Sequence, residues 1–433
     1  MSDWKQLRDF IKVESGFAFP SDAFSDFGVP IIRMSDLQKG IVTLNKAARV
    51  DPKKVIGLDR FKLQNGDFLI GMSGSLGAYG VVDSELESSY LNQRVGRIVK
   101  KDQSSGIYQY LILLLTSSHY LRYANKIATG IAQLNISARQ IEDFYSFIPS
   151  INEQQVIANI LNTLDTQIRQ TEALIAKLQH VKQGLLYDLL TRGIDESGQL
   201  RPPYEQAPEL YKASPLGWIP KEWESTELGN VLSHIDAGRS PNCPDIPAPS
   251  GVWGVLKVSA VHPDGFKEQE TKIVEQSVFH NPQLEVKDGD LLITRANTPE
   301  LVGLPCLVYT DRSRLMLSDK TLRLNFKEAQ DKAFFFYTLT QSWVRSQIQV
   351  AATGTSMSMK NISQSALKSL KVKEPPATEQ KMISLRVYEA ARQISKESQF
   401  LNKLKKQKAG LMDDLLTGRV RVTELIDQQQ QAS

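Results

Sequence analysis

GLLYDLLTRG, residues 184–193, reads as the end of an amphipathic helix with a glycine stop, and GLMDDLLTGR, residues 410–419, writes the same end again 226 positions later. The register continues outward without a gap. KLQHVKQ (177–183) answers KLKKQKA (403–409), and PSINEQQVI (149–157) answers PPATEQKMI (375–383), pairing Pro149 with Pro375, Glu153 with Glu379, Gln154 with Gln380 and Ile157 with Ile383. Before these, TGIAQLNIS (129–137) answers TGTSMSMKNIS (353–363), and NGDFLIGMSGSLGAYG (65–80) answers DGDLLITRANTPELVG (288–303). Still earlier, IIRMSDL (31–37) resembles VLKVSAV (255–261). A repeat of this length decides the fold before any single element does: the chain is one unit of about 190 residues used twice.

Each unit has two parts. The first, over 1–148 and 215–374, alternates short apolar runs such as DFLIGM and DLLIT with Gly, Pro, Asn and Asp, which predicts short strands and turns. Helical pieces are expected near 108–126 and 332–350. The second part differs in kind. From Glu153 to Thr191 there is no Pro, and Leu161, Leu164, Ile168, Thr171, Ile175, Leu178, Lys182, Leu185 and Leu189 step by three and four, which is a coiled-coil seam. Val387, Ala390, Ile394, Glu397, Leu401, Leu404, Lys408, Leu411 and Leu415 repeat it. A helix of that length spans roughly 58 Å and cannot bury its stripe alone, so each helix needs the other. The stretch RPPYEQAPELYKASP (201–215) reads as a Pro-rich linker.

Composition narrows the classes. The 41% hydrophobic and 23% charged fractions are those of a globular protein rather than a disordered one. The apolar run YLILLL (110–115) is far short of the roughly 20 residues a bilayer span needs, and MSDWKQLRDF lacks a signal peptide's apolar core, so a cytoplasmic protein is expected. Cys243 and Cys306 form no disulfide or metal framework. A net charge of +4 permits a polyanionic partner without arguing for one.

Catalytic signatures are missing. No Gly-x-Gly occurs, so a loop for S-adenosylmethionine is not visible, and RPPY (201–204) has Arg201 where a base-flipping adenine methyltransferase needs a side chain that accepts a hydrogen bond. Pro263, Asp264, Glu270 and Lys272 fit a nuclease string of two carboxylates and a lysine, but the spacing is short and QKGIVTLNKA (38–47) in the first copy has no such acids. The five histidines, at 119, 180, 234, 262 and 280, never fall at a metal-binding spacing.

The paired P-x3-E-Q-x2-I helix entries, the N-I-S loops before them, the L-x-D-L-L-T helix ends and LGWIPKEWE (216–224) together resemble the specificity subunit of Type I restriction-modification enzymes, over nearly the whole chain. The first copy departs in lacking a GWIP-like lead-in. The resemblance implies an α+β protein with internal pseudo-two-fold symmetry: two similar mixed α/β target-recognition domains (1–148 and 215–374) joined by two long helices forming an antiparallel coiled coil. The helices are conserved helical regions at 149–192 and 375–420, with a linker at 193–214 and a tail at 421–433. It further implies a non-catalytic subunit that reads a bipartite site in double-stranded DNA, one half per domain, with a spacer set by the helices. Two methylation subunits and restriction subunits are the implied partners. S-adenosylmethionine, ATP and Mg are expected on those partners, no cofactor or metal on this chain, and no membrane. Rival readings are a self-contained methyltransferase or nuclease, which methyl transfer by the purified chain would reveal, and a coiled-coil scaffold for proteins, which salt-sensitive duplex binding would separate.

Base reading needs polar side chains on rigid loop tips. The candidates are Ser73, Ser75 and Tyr79 after GDFLI and Gln133 and Asn135 in the following loop. In the second copy they are Arg295, Asn297 and Thr298 after GDLLI, with Ser356, Lys360 and Asn361. Arg33 and Lys257, at equivalent positions, are candidates for phosphate or base. Asn135 and Asn361 fit equally well as helix caps. The basic run Lys403, Lys405, Lys406 and Lys408 reads as a solvated face or as a contact to DNA or a partner.

Overall fold

The computed structural model describes the chain except residues 1–2, 39, 45–46, 75, 102–106, 131–133, 355–358 and 432–433, and the side chains of 428–431. Contacts divide it into two compact units, Met1–Leu174 with Glu397–Ser433, and Ile175–Lys396. Each of the two long helices, Ile151–Thr191 and Ala377–Leu415, contributes one part to each unit.

In the first unit the apolar run of GDFLIG forms the strand Phe68–Gly71, buried at every residue, as expected of a strand covered on both faces. It sits third in a six-stranded sheet ordered Ile11–Ser15, Val95–Lys100, Phe68–Gly71, Tyr79–Val81, Gly40–Val42 and Leu37–Gln38. A four-stranded sheet, Tyr90–Leu91, Val29–Ile32, Ala48–Val50 and Phe24–Ser25, stands beside it in sequence. The second unit repeats the central order with Leu232–Ala237, Thr321–Phe326, Leu291–Thr294 and Pro305–Leu307, and its smaller sheet is Thr271–Ile273, Gly254–Leu256 and Leu315–Met316. The helical pieces expected near 108–126 and 332–350 are each two helices, Tyr108–Leu115 with Ser118–Ile127 and Lys332–Leu339 with Ser342–Ala351. They pack on the sheet and on the start of the long helix in one core, which joins Phe68, Ile70, Tyr110, Leu114, Ile157 and Leu161 in the first unit. Phe334, Phe335, Leu291, Ile293, Ile383 and Val387 do the same in the second. Mixed helix and sheet with a long helix pair is the α+β architecture expected.

Each head is pinned by an arginine on the strand next to the buried GDFLI or GDLLI strand, Val95–Lys100 or Thr321–Phe326. Arg97 donates to Glu14 (2.8 Å), to Asp67 (3.3 Å) and to the carbonyls of Arg60 (2.8 Å) and Lys62 (3.0 Å). Arg323 repeats the set on Asp236 (2.7 Å), Asp290 (3.0 Å) and the carbonyls of Gln283 and Glu285 (both 2.8 Å). The Asp of each Gly-Asp turn is therefore shared. Asp67 also accepts from the Gln64 amide and Asp290 from the Lys287 amide, both at 2.9 Å, so one carboxylate closes the turn and fixes the strand behind it.

The expected seams are the least exposed stripes of the long helices: all eighteen seam positions are buried or half-buried. Lys408 bonds Asp165 (2.6 Å) and Lys405 bonds Glu172 (2.7 Å), a descending register against an ascending one, so in the first unit the two helices run antiparallel. Two members of the lysine run are thus spent between helices. The helix starts are tied down in the same way in both units. Gln154 accepts from the Ile107 amide (2.8 Å) and donates to the Pro149 carbonyl (2.8 Å); Gln380 accepts from Asp331 and donates to Pro375, both at 2.9 Å. Glu153 meets Arg421 through two bonds of 2.8 and 2.7 Å. Glu379 meets Arg201 at 2.6 and 3.2 Å and also accepts from Trp223 Nε1 (3.0 Å) and the Ile194 amide (2.8 Å). Arg201, in the stretch that reads as linker, is a structural partner of the second helix. The glycine stops are required for this. A Cβ on Gly193, at φ +65°, would lie 2.1 Å from the Glu379 carboxylate, and one on Gly418, at φ +71°, would lie 2.8 Å from the Phe147 ring.

Arg323→Ala would strand Asp236 and Asp290 and is expected to destabilise the second unit by on the order of 3–5 kcal/mol, read as an earlier transition in urea unfolding of the full chain. Burial pushes the Asp236 carboxyl up, but the Arg323 and Asn325 bonds outweigh it and hold it below the usual range. That depressed value makes the stabilisation fully present above the ordinary carboxylate pKa of about 4 and lost as pH falls through the folded-state value. The variant's stability should therefore vary less with pH below about 4 than the parent's, as acid titrations of both would measure.

Candidate nucleic-acid interface

Where the central strands end, each head lays three chain segments side by side. In the first head the Met72 amide donates to the Arg94 carbonyl and the Met72 carbonyl accepts from the Ile136 amide, both at 2.9 Å. In the second the Arg295 amide donates to Lys320 (2.8 Å) and its carbonyl accepts from Ile362 (2.9 Å). The third segment is closed on itself. Thr129 and Asn135 exchange backbone bonds of 3.0 and 2.8 Å, as Thr353 and Asn361 do at 2.8 Å each way. On the other flank the turns 92–94 and 318–320 are held against the chain that leaves the outer strand. A Cβ on Gly16 would lie 2.1 Å from the Leu91 carbonyl oxygen and one on Gly238 would lie 1.9 Å from that of Leu317. Only glycine lets the backbones approach so closely, and the outcome is a hydrogen-bonded edge that leaves Arg94, Asn135, Arg295, Lys320 and Asn361 exposed.

Along this edge the candidate residues divide. Ser73 is 2% exposed and its hydroxyl donates to Asn135 Oδ1 at 2.6 Å, so it braces the neighbouring loop and presents nothing to solvent. Asn135 and Asn361 are exposed. Neither is a cap: the caps are Ser137, which accepts from the Gln140 amide (3.2 Å), and Ser363, which accepts from the Ala366 amide (3.0 Å). Tyr79 is half-buried against Phe68, ring centroids 5.8 Å apart, and burial, with Asp165 nearby, pushes its hydroxyl above the usual range. Arg295 is exposed, and no described side chain or carbonyl binds its guanidinium. Asn297 turns its Oδ1 back to the Thr298 amide (2.9 Å), and Lys360 reaches the Gly354 carbonyl (2.6 Å). Ser75, Gln133 and Ser356 lie outside the described residues.

Arg33 and Lys257 follow the strands Val29–Ile32 and Gly254–Leu256. Those strands run parallel to Tyr90–Leu91 and Leu315–Met316, which lead into the turns at 92–94 and 318–320. Arg33 lies 3.9 Å from Asp36, and Lys257 meets the exposed carboxylate of Asp245 at 2.6 Å, which raises the lysine and lowers the acid. Beside these candidates the structure adds two exposed cations, Arg94 and Lys320. The signal was available, since they stand 226 positions apart within LNQRV and LSDKT, but no motif surrounds them.

The nuclease-like string does not assemble. Glu270 accepts from Ser259 (2.6 Å), Asp264 sits beside His262 (3.3 Å) and Lys272 lies 4.0 Å from Asp245. Among the described residues no three His, Cys, Asp or Glu side chains are grouped to hold a metal ion, and no helix is long and apolar enough to cross a membrane.

Residues 1–180 match the family described as the Type I restriction modification DNA specificity domain. The EcoEI specificity subunit of Escherichia coli is 38% identical over 38% of this chain, a match that spans 28% of that protein's length. The putative MjaX specificity subunit of Methanocaldococcus jannaschii is 25% identical over 97% of this chain and 94% of its own. Among solved structures, the S subunit from M. genitalium superposes with a TM-score of 0.55 at 14% identity, over 95% of both chains. A chain from the work on complex assembly and conformational transition of the type I R-M system gives 0.56 at 15% identity, over 96% of this chain and 98% of that one. These two likenesses concern the fold.

Proposed function

We propose that this chain, a member of the family of Type I restriction-modification specificity subunits, recognises a bipartite sequence in double-stranded DNA, one half with each head, and directs partner subunits to it. The observation that carries the reading is the duplicated edge: the same three segments, in the same hydrogen-bonded order, end the central strands of both heads, while the side chains they present differ. Rigid backbone with varied tips is what direct readout of base edges asks for. The domains that would act so are 1–148 and 215–374, with helical regions at 149–192 and 375–420, a linker at 193–214 and a tail at 421–433. The candidate readers along this edge are the exposed Asn135, Arg295 and Asn361 and the half-buried Tyr79, Asn297, Thr298 and Lys360.

The chemistry belongs to partners on this reading. Two methylation subunits carrying S-adenosylmethionine and restriction subunits using ATP and Mg would modify or cut the DNA in the cytoplasm, and this chain would supply the address. The long helices, each shared between both units, would set the unread spacer.

Exchange of residues 1–148 for those of a related subunit should change one half of the recognised site and leave the other as it was. Methylation of a randomised duplex library by the assembled complex reads this directly, and a change in both halves would refute separate reading. Arg295→Ala should relax the second half-site, since an arginine bonded to a guanine edge supplies about 1–3 kcal/mol of discrimination. Equal loss on specific and random duplexes would instead make it a phosphate contact. A second TEAL inserted after Leu174 adds four residues, or roughly 6 Å, to the first long helix. The preferred spacer should then lengthen by one or two base pairs, at ~3.4 Å each, and a folded insertion variant with an unmoved spacer would end the ruler reading.

A further inference from the structure

We infer that Arg94 and Lys320 are matched phosphate contacts, one in each head, that hold the DNA backbone against the reading loops whatever sequence those loops select; this rests on the DNA-recognition reading above. The argument begins with the repeat. Two heads that read different half-sites must differ where they touch bases, because each base pair presents its own pattern of donors and acceptors. Phosphates are the same along any sequence, so residues that meet them are free to remain alike. Along the interface edge this test separates the positions. The central segment carries Met72–Ser73 in one head and Arg295–Ala296 in the other, opposite in character. The flanking turn carries Arg94 in one and Lys320 in the other, both cations, both exposed.

The placement fits the assignment. The carbonyl of each of these two residues accepts the amide of the central segment, Met72 at 2.9 Å and Arg295 at 2.8 Å, so the cation is one strand spacing from the segment that ends the central strand. The backbone beneath it is fixed. In the first head the Gln93 amide donates to the Phe17 carbonyl (3.0 Å) and the Asn92 amide to that of Ile32 (3.1 Å). In the second the Arg323 strand follows the turn directly, and Ser318 is bonded at its amide to Thr321 Oγ1 (3.1 Å). A second matched cation stands beside each: Arg33 follows the strand that pairs in parallel with Tyr90–Leu91, and Lys257 the one that pairs with Leu315–Met316. Each head thus places an exposed cation beside a second that is already paired, Arg33 with Asp36 and Lys257 with Asp245, at neighbouring strand ends.

The test is binding of the full chain to a random-sequence duplex of 30 base pairs, chosen as about three helical turns, across a range of salt concentrations, together with selection from a randomised library. Arg94→Ala and Lys320→Ala should each weaken the random duplex and reduce the slope of log affinity against log salt by about one, the double variant by about two. The selected sequence should be unchanged. Arg94→Lys should keep the parent slope, which a merely structural loss of the arginine would not predict. Parent slopes in both alanine variants would overturn the inference, and so would an altered selected sequence at an unchanged slope, which would make these residues base readers. If the parent chain selects no sequence, the recognition reading itself fails; if it selects one and the slopes do not move, only this inference does.

Discussion

A carboxylate in the first turn of each long helix is answered by an arginine that follows the end of the other. Glu153 takes Arg421 and Glu379 takes Arg201, each through two bonds. Long helices with a half-exposed seam gain little from any one contact along their length, and exposed ion pairs such as Lys405–Glu172 add little more. The ends decide the register. Glu379 is only 4% exposed, and a buried carboxylate without its cation is a heavy penalty, so sliding one helix by a turn would break the pair at the end and leave that charge stranded. Burial and the matched Gln154 and Gln380 bonds then seat each head on its helix.

The repeat, the seams and the helix pairs were legible because each is a local pattern or a fixed offset. Every seam position read at three-four spacing is on the covered stripe. The arginines that hold the structure were not legible. Arg97 and Arg323 also stand 226 apart, but each draws its ligands from strands and turns scattered over some eighty positions, and nothing in one window links Asp67 or Asp290 to its partner. The structural role of Arg201 is not legible, because Pro-Pro-Tyr beside it reads as linker and its partner lies 178 positions away.

The loops show a second limit. N-I-S holds two residues able to cap a helix, and sequence could not choose between them. The structure chooses the serine because the asparagine is already committed to the backbone pair with Thr129 or Thr353, with a buried Ile136 or Ile362 fixing the step between. Ser73 illustrates the same point. A polar residue on a loop after a strand is a fair candidate for recognition, but whether it faces out depends on the neighbouring chain segment, which is contributed from more than sixty residues away.

The second unit is one uninterrupted run of chain, Ile175–Lys396, whereas the first combines the beginning of the chain with its last segment, Glu397–Ser433. Val422 is buried in the same core as Leu7 and Ile11, and Arg421 bonds Asp3 as well as Glu153. A chain emerging from the ribosome in order, at some 5–20 residues per second, therefore makes most of the first head early and can complete its core only after the second unit, when Leu415, Leu416 and Val422 have followed. The part synthesised second is the first able to close. Through that interval Ile157 and Leu161 stand without Leu415 and Leu416, which share their core, so a head begun first waits open on a helix made last, and a fault in that helix would show in the head that precedes it.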